Sequence, residues 1–227
     1  AMPSNGQGTS TAMTSSTTPR SQLPAPDCDV LVVGGGPAGS TISALLAERG
    51  WKVTLLEKEH HPRFHIGESL LPLNLPILAR LGVLDQVAAI GIKKPGADFS
   101  SDLEVSGHHR FDFSFALDKS HPFAYEVRRS EFDNLLLRNS AAKGTQVLEG
   151  IRVTGVEFPR DAHPVAHAVD EQGNARSWTC RYFIDASGRD TLLARHFNLK
   201  QKNRHHASAA IFGHFMNVER REGEYAG

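Results

Sequence analysis

The chain has 227 residues with 25 basic and 25 acidic side chains, so its formal net charge is zero. That balance speaks against nucleic acid or an anionic membrane as main partner, since both select basic surfaces, and the length allows an ample core. No apolar run approaches the roughly 20 residues that span a bilayer, so no stable membrane insertion is expected.

Residues 1–26 are rich in Ser, Thr, Pro and Gly with almost no large apolar side chain; such a segment cannot offset its ordering entropy and is expected to be a disordered tail. Ala1-Met2 reads as a cloning remnant, and no charged segment leads into an apolar one as in a secretory signal. The only cysteines, Cys28 and Cys180, lie far apart outside any CxxC pair, which suits buried thiols of a cytoplasmic protein.

Order is expected from Asp27. The continuous apolar run at 28–33 predicts a buried parallel strand, and Pro37 to about Arg49 predicts a helix stopped by Gly50. A second strand at 52–57 completes a βαβ unit. The loop His61-Pro62-Arg63-Phe64-His65-Ile66-Gly67-Glu68-Ser69-Leu70-Leu71-Pro72 follows neither a strand nor a helix period. Residues 73–89 have helical spacing broken at Gly82, and 109–117 and 123–127 alternate as antiparallel strands would. Ser130, with Asp133 three residues on, predicts an N-cap and near-capping-box acid for a helix over 130–142. Strands are expected near 145–149, 151–158, 164–169 and 176–184, with a turn at Gln172-Gly173-Asn174, and a last one at 207–218.

The fold class expected is α/β: a Rossmann-like domain that starts with βαβ, plus part of a second domain built on an antiparallel sheet. It divides into a tail (1–26), the first part of the Rossmann-like domain (27–100), a sheet excursion (101–127), the second part (128–204), and the start of a return to the antiparallel sheet (205–227). A chain that enters a second sheet twice and stops at Gly227 reads as the N-terminal part of a longer protein.

Gly34, Gly36 and Gly39 form G-x-G-x-x-G between strand and helix. These glycines permit a tight turn, close approach of a pyrophosphate and helix–strand packing, and the helix N-terminus offers N–H groups to phosphate. Glu57, 18 residues after Gly39, stands where a ribose hydroxyl would be held; the alternative is a solvated strand end. In "YFIDASGRDTLLAR" (182–195) Asp185 ends an apolar strand before a turn through Gly188. It suits either a second polyol or a plain helix cap.

The GGGPAG turn with Glu57, "RRSEFDNLLL" (128–137) and DASGR (185–189) resemble the class A flavoprotein monooxygenases. "PRFHIGESLLP" is similar to the flavin-dependent halogenases within that superfamily, particularly those acting on phenols and pyrroles. The resemblance covers about 200 residues from Asp27 onward, and implies that the Rossmann-like domain is an FAD-binding domain and the antiparallel sheet part of a substrate domain. It implies that Gly34, Gly36, Pro37, Ala38 and Gly39 hold the FAD pyrophosphate, and that Glu57 binds the adenosine ribose with Lys58 and Arg63 beside it. It also implies that Gly67, Glu68 and Ser69 line the flavin side, Arg129 touches the cofactor, Val153 meets adenine through its backbone, and Asp185 faces the ribityl chain.

The resemblance further implies FADH2 from a separate flavin reductase, O2 and chloride or bromide as co-substrates, and a flavin C4a-hydroperoxide that yields hypohalous acid. An active-site lysine would direct that acid to a small aromatic substrate, free or on a carrier protein. In "GIKKPGADF" (91–99) Lys93 is the first candidate and Lys94 the alternate; the plain alternative is two solvated loop lysines. The halogenases' W-x-W-x-I-P motif has no counterpart, because Trp51 and Trp178 do not fit it. Competing readings are an aromatic hydroxylase or geranylgeranyl-reductase-like enzyme, and a truncated, non-catalytic FAD-fold protein. The adjacent histidine pairs at 60–61, 108–109 and 205–206 diverge on either secondary structure, so no metal site is expected.

Overall fold

The computed structural model describes residues 23–100, 108–201, 203 and 211–217. Strand β1 (Cys28–Val33) is the apolar run, and all of it but Asp29 is buried. It pairs in parallel with β2 (Val53–Leu56) on one side and with the long β10 (Ala175–Asp185) on the other. Beyond β2 lies β7 (Gln146–Leu148), also parallel; beyond β10 lie β9 (Val165–Val169) and β8 (Arg152–Glu157), both antiparallel. The six-stranded order is therefore β7-β2-β1-β10-β9-β8.

Helix α1 (Pro37–Ala47) connects β1 to β2; its opening proline is pre-set for a first helical turn. It packs with α4 (Arg129–Ala142) over one sheet face, where Val30, Val32, Val53 and Leu55 meet Leu137. Cys28, Leu31, Leu56, Ala166 and Cys180 fill the other face. The break expected at Gly82 separates α2 (Asn74–Leu81) from α3 (Leu84–Ile90), and Gly82 is in the left-handed region.

Between α3 and α4 the chain forms two antiparallel pairs: β3 (Ile92–Lys94) with β6 (Ala124–Glu126), and β4 (Gly96–Ser100) with β5 (His108–Asp112). These pairs begin at Ile92, ahead of the segment 101–127 in which they are expected. The strand expected over 109–117 stops at Asp112, whose carboxylate accepts the Ser114 N–H and turns the chain into a 3-10 turn. A short α5 (Leu192–His196) follows β10.

Three expectations are corrected. Lys93 and Lys94 lie on a strand rather than a loop, because their backbone pairs with Tyr125 and Ala124. Ser130 is not the cap of α4: Arg128 holds that position without a side-chain cap, and Asp133 turns instead to Arg129. The strand expected at 207–218 is not formed over its described part, 211–217; its remainder lies outside the described residues, as do residues 1–22 of the tail and the His205-His206 pair.

Candidate functional site

The turn after β1 is wedged between backbone atoms. Gly34 has φ of 106°, and a Cβ there would stand 2.4 Å from the Ala186 carbonyl oxygen. A Cβ on Gly39 would stand 1.9 Å from the Gly34 carbonyl oxygen. The first turn of α1, the glycine loop and the turn after β10 can be this close only without side chains. The free N–H groups of α1 and its positive dipole end then face the space beyond β1.

Glu57 closes one side of that space. It is buried, its Oε2 accepts the Gly35 N–H at 2.5 Å, and its Oε1 accepts the Glu59 N–H at 2.9 Å. It is therefore no solvated strand end, and each carboxylate oxygen keeps a lone pair for a further donor. Asp185 behaves as the cap alternative describes: Oδ1 accepts the Ser187 N–H (3.0 Å) and Oδ2 the Leu193 N–H (2.8 Å), which fixes the turn ahead of α5.

A cleft of about 920 Å³ runs from the glycine turn past Glu57 to β8 and the turn after β10. Of the expected cofactor residues, Gly34, Gly36, Pro37 and Ala38 line its floor. Glu57, Lys58, Arg63, Arg129, Val153 and Gly188 line its walls. Gly39 lies buried beneath it, whereas Gly67, Glu68, Ser69, Asp185, Lys93 and Lys94 are outside its lining. Six cationic side chains line the cleft (Lys58, Arg63, Arg129, Arg152, Arg189, Arg195) against three carboxylates (Glu57, Glu59, Asp190). The excess of positive charge suits an anionic diphosphate. Sequence reasoning missed Arg152, Arg189 and Arg195, although Arg189 stands inside the DASGR signature. Lys58 bridges to Asp190 at 2.5 Å across the cleft, and this hydrogen bond, with Arg195 and Arg152 nearby, holds the Asp190 carboxyl below the usual range.

The loop after Lys58 carries its own charge cluster. Asp133 is wholly buried and receives Arg129 in a fork, Nε to Oδ1 at 2.7 Å and Nη2 to Oδ2 at 2.9 Å. The third nitrogen, Arg129 Nη1, donates to the Ile66 carbonyl at 3.0 Å. Arg63 approaches Asp133 from the cleft side at 3.7 Å. His61 is buried nearby; burial, then the Arg63 charge, pushes its pKa down, while Glu57, Glu149 and Asp133 oppose that shift.

The Gly67–Leu70 segment runs beside β6: the Val127 N–H donates to the Glu68 carbonyl and the Leu70 N–H to the Tyr125 carbonyl, both at 2.9 Å. Lys93 and Lys94 point to opposite faces of β3, as neighbours on a strand must. Lys94 Nζ donates to Ser69 Oγ and stands 5.6 Å from the Phe113 ring centre. Lys93 Nζ lies 4.3 Å over Phe123. A smaller cavity of about 340 Å³ lies between α1, α2 and Gly67, and Arg129 lines it as well as the cleft. Among the described residues, no cluster of three His, Cys, Asp or Glu could hold a metal ion, and no helix is long and apolar enough to cross a membrane.

The cleft fits FAD in its glycine turn, its acidic strand end and its positive charge, and comparison with known proteins agrees. A family model described as FAD binding domain matches residues 27–222. A flavin-dependent halogenase of Armillaria mellea is 36% identical over 198 residues, which is 85% of this chain and 38% of that protein. The 1H-pyrrole-2-carbonyl-[peptidyl-carrier protein] chlorinase of Pseudomonas fluorescens is 32% identical, over 86% of this chain and 47% of that protein. The solved myxobacterial chondrochloren halogenase is 38% identical with a TM-score of 0.64, covering 72% of this chain and 38% of that one. The chain thus spans less than half the length of these relatives. It belongs to the family of FAD-binding domains.

Proposed function

We propose that the protein is an FAD-dependent halogenase of an electron-rich aromatic substrate, phenol- or pyrrole-like, either free or presented on a carrier protein. A separate reductase supplies FADH2, and O2 and chloride or bromide are co-substrates, with the reaction in the cytoplasm. The observation that carries this reading is the match to relatives described as flavin-dependent halogenases across most of the chain. The cofactor, when bound, supplies the oxidising chemistry; this chain's residues bind and orient it.

In this reading the α1 N-terminus with Gly34, Gly36, Pro37, Ala38 and Gly39 holds the pyrophosphate, helped by Arg63. Glu57 receives ribose hydroxyls, Lys58 lies beside it, and Val153 offers its backbone to adenine. Asp185 and Gly188 act toward the ribityl chain by shaping the turn against which it lies. Gly67, Glu68 and Ser69 form the flavin-side loop, anchored by Arg129.

Of the two lysines, the geometry favours Lys94 for directing the halogenating species. It touches Ser69 of the flavin-side loop, whereas Lys93 faces away over Phe123. The test supplies FADH2, bromide and a panel of phenols and carrier-bound pyrroles, and reads brominated product by mass spectrometry. Lys94→Ala should lower bromination on the order of a hundred-fold with FAD affinity unchanged, and Lys93→Ala should act weakly. Full bromination by Lys94→Ala would overturn the assignment of Lys94. Substrate-stimulated oxidation of NAD(P)H without halogenated product would point to a hydroxylase instead.

A further inference from the structure

We infer that Asp133 is a positioning residue that couples the phosphate end of the cleft to the flavin-side loop, through Arg63 on one side and Arg129 on the other. This inference rests on the FAD reading above. Asp133 sits on α4 with no solvent exposure and with two guanidinium groups around one carboxylate. Arg129 is the tight partner: it fills both carboxylate oxygens, and its remaining nitrogen holds the loop carbonyls of Ile66 (3.0 Å) and Gly67 (3.4 Å). Arg63 is the loose partner. Its Nη1 is 3.7 Å from Asp133 Oδ2. Its Nε stands 3.1 Å from Glu59 Oε2 in an ion pair, its Nη1 is shielded from water without a hydrogen-bond partner, and its Nη2 lies near Gly36 at the opening of α1.

Unpartnered buried donors are costly, and a buried carboxylate is held by whatever cations remain beside it. An anionic diphosphate at the α1 N-terminus gives the Arg63 guanidinium the hydrogen bond that its Nη1 lacks beside Asp133. As Arg63 turns toward that anion, the charge of Asp133 is left to Arg129 alone. The Arg129 fork then tightens, and with it the hold on Ile66 and Gly67. Occupancy at the phosphate end therefore orders a loop that the phosphates do not touch, so the flavin side is shaped before the ring system arrives.

ADP carries adenosine and a diphosphate but no flavin, so it separates this coupling from direct contact with the ring. At saturating ADP, amide hydrogen exchange over residues 66–70 should slow by about fivefold or more, in the range of ordinary coupling between sites. In Arg63→Gln, saturated with ADP, that slowing should vanish, and Asp133→Asn should behave alike. Should Asp133→Asn fail to fold, FAD affinities of Arg63→Gln, Arg129→Gln and the double variant decide the matter: coupled arginines give effects that do not multiply. Unchanged loop exchange with bound ADP, equal slowing in Arg63→Gln, or strictly multiplicative losses would overturn the inference. Absence of both ADP and FAD binding by calorimetry would instead overturn the FAD reading beneath it.

Discussion

In the parallel half of the molecule, Leu31, Val32 and Leu55 have no solvent exposure, and the glycine turn is held between backbone atoms. In the antiparallel excursion from Ile92 to Glu126, Phe99, Phe111 and Phe115 remain 64%, 49% and 79% exposed. The two lysines there are held by aromatic rings and one hydroxyl. The cofactor half thus owes its shape to main-chain contacts that tolerate no added atom. The excursion is also pinned by its main chain at Gly96, but it leaves large side chains in solvent that can rearrange. The rigid half suits binding of one fixed cofactor.

The largest expected effect breaks the rigid half. Gly39→Ala drives a Cβ into the Gly34 carbonyl, so the helix must shift from the turn. A loss of about 3 kcal/mol in stability is expected, together with loss of FAD binding, read by thermal melting and flavin fluorescence titration. Unaltered FAD affinity in that variant would show the turn to be softer than its geometry implies.

Gly96→Ala is the matched change in the excursion, where a Cβ would meet the Phe111 carbonyl oxygen at 2.3 Å. It should cost roughly 1–3 kcal/mol and disturb β4–β5, while FAD affinity stays within about twofold because β4–β5 contributes no residue to the cleft. The proposed halogenation should fall more than flavin binding. An equal loss of both would show that the halves are mechanically one.

The smallest effect concerns His61, at the seam between β2 and the loop that leads to Gly67. Its folded pKa is depressed by burial, below the ordinary 6.5. The unfolded chain therefore binds more protons between the folded value and 6.5, and stability rises with pH across that window and is flat above it. Thermal midpoints measured from pH 7.5 downward should show the parent protein losing stability below pH 6.5. His61→Gln should lose less, and identical pH profiles would place the titration elsewhere.

The legible parts of the site were those in which local chain chemistry and tertiary need coincide. Gly34, Gly36 and Gly39 between an apolar run and a helix could be read directly, because a turn without side chains has few other uses in that setting. Asp133 was misread because an acid three residues after a serine looks like a capping box. What decides its partner is Arg129, one helical turn earlier, together with burial that no local pattern reveals. That Lys93 and Lys94 lie on a strand could not be read from the sequence, because three residues are too few to show alternation. Their strand exists only because β6, some 30 residues on, pairs with them.

The cysteines mark the same boundary. Composition alone pointed to buried thiols, and burial does push the Cys180 thiol up to about 12. That Cys28 and Cys180 are cross-strand neighbours on β1 and β10 followed only from the sheet register. By itself the sequence determined the βαβ opening, the dinucleotide turn and the acidic strand end, since periodicity, glycine and strand-end carboxylates act over a few residues. Tertiary structure alone decided which charges share a partner, which lysine meets Ser69, and how Arg129 reaches the loop at Ile66. The Lys94–Ser69, Arg129–Ile66 and Arg63–Asp133 contacts join residues 25, 63 and 70 positions apart, and only packing brings them within reach.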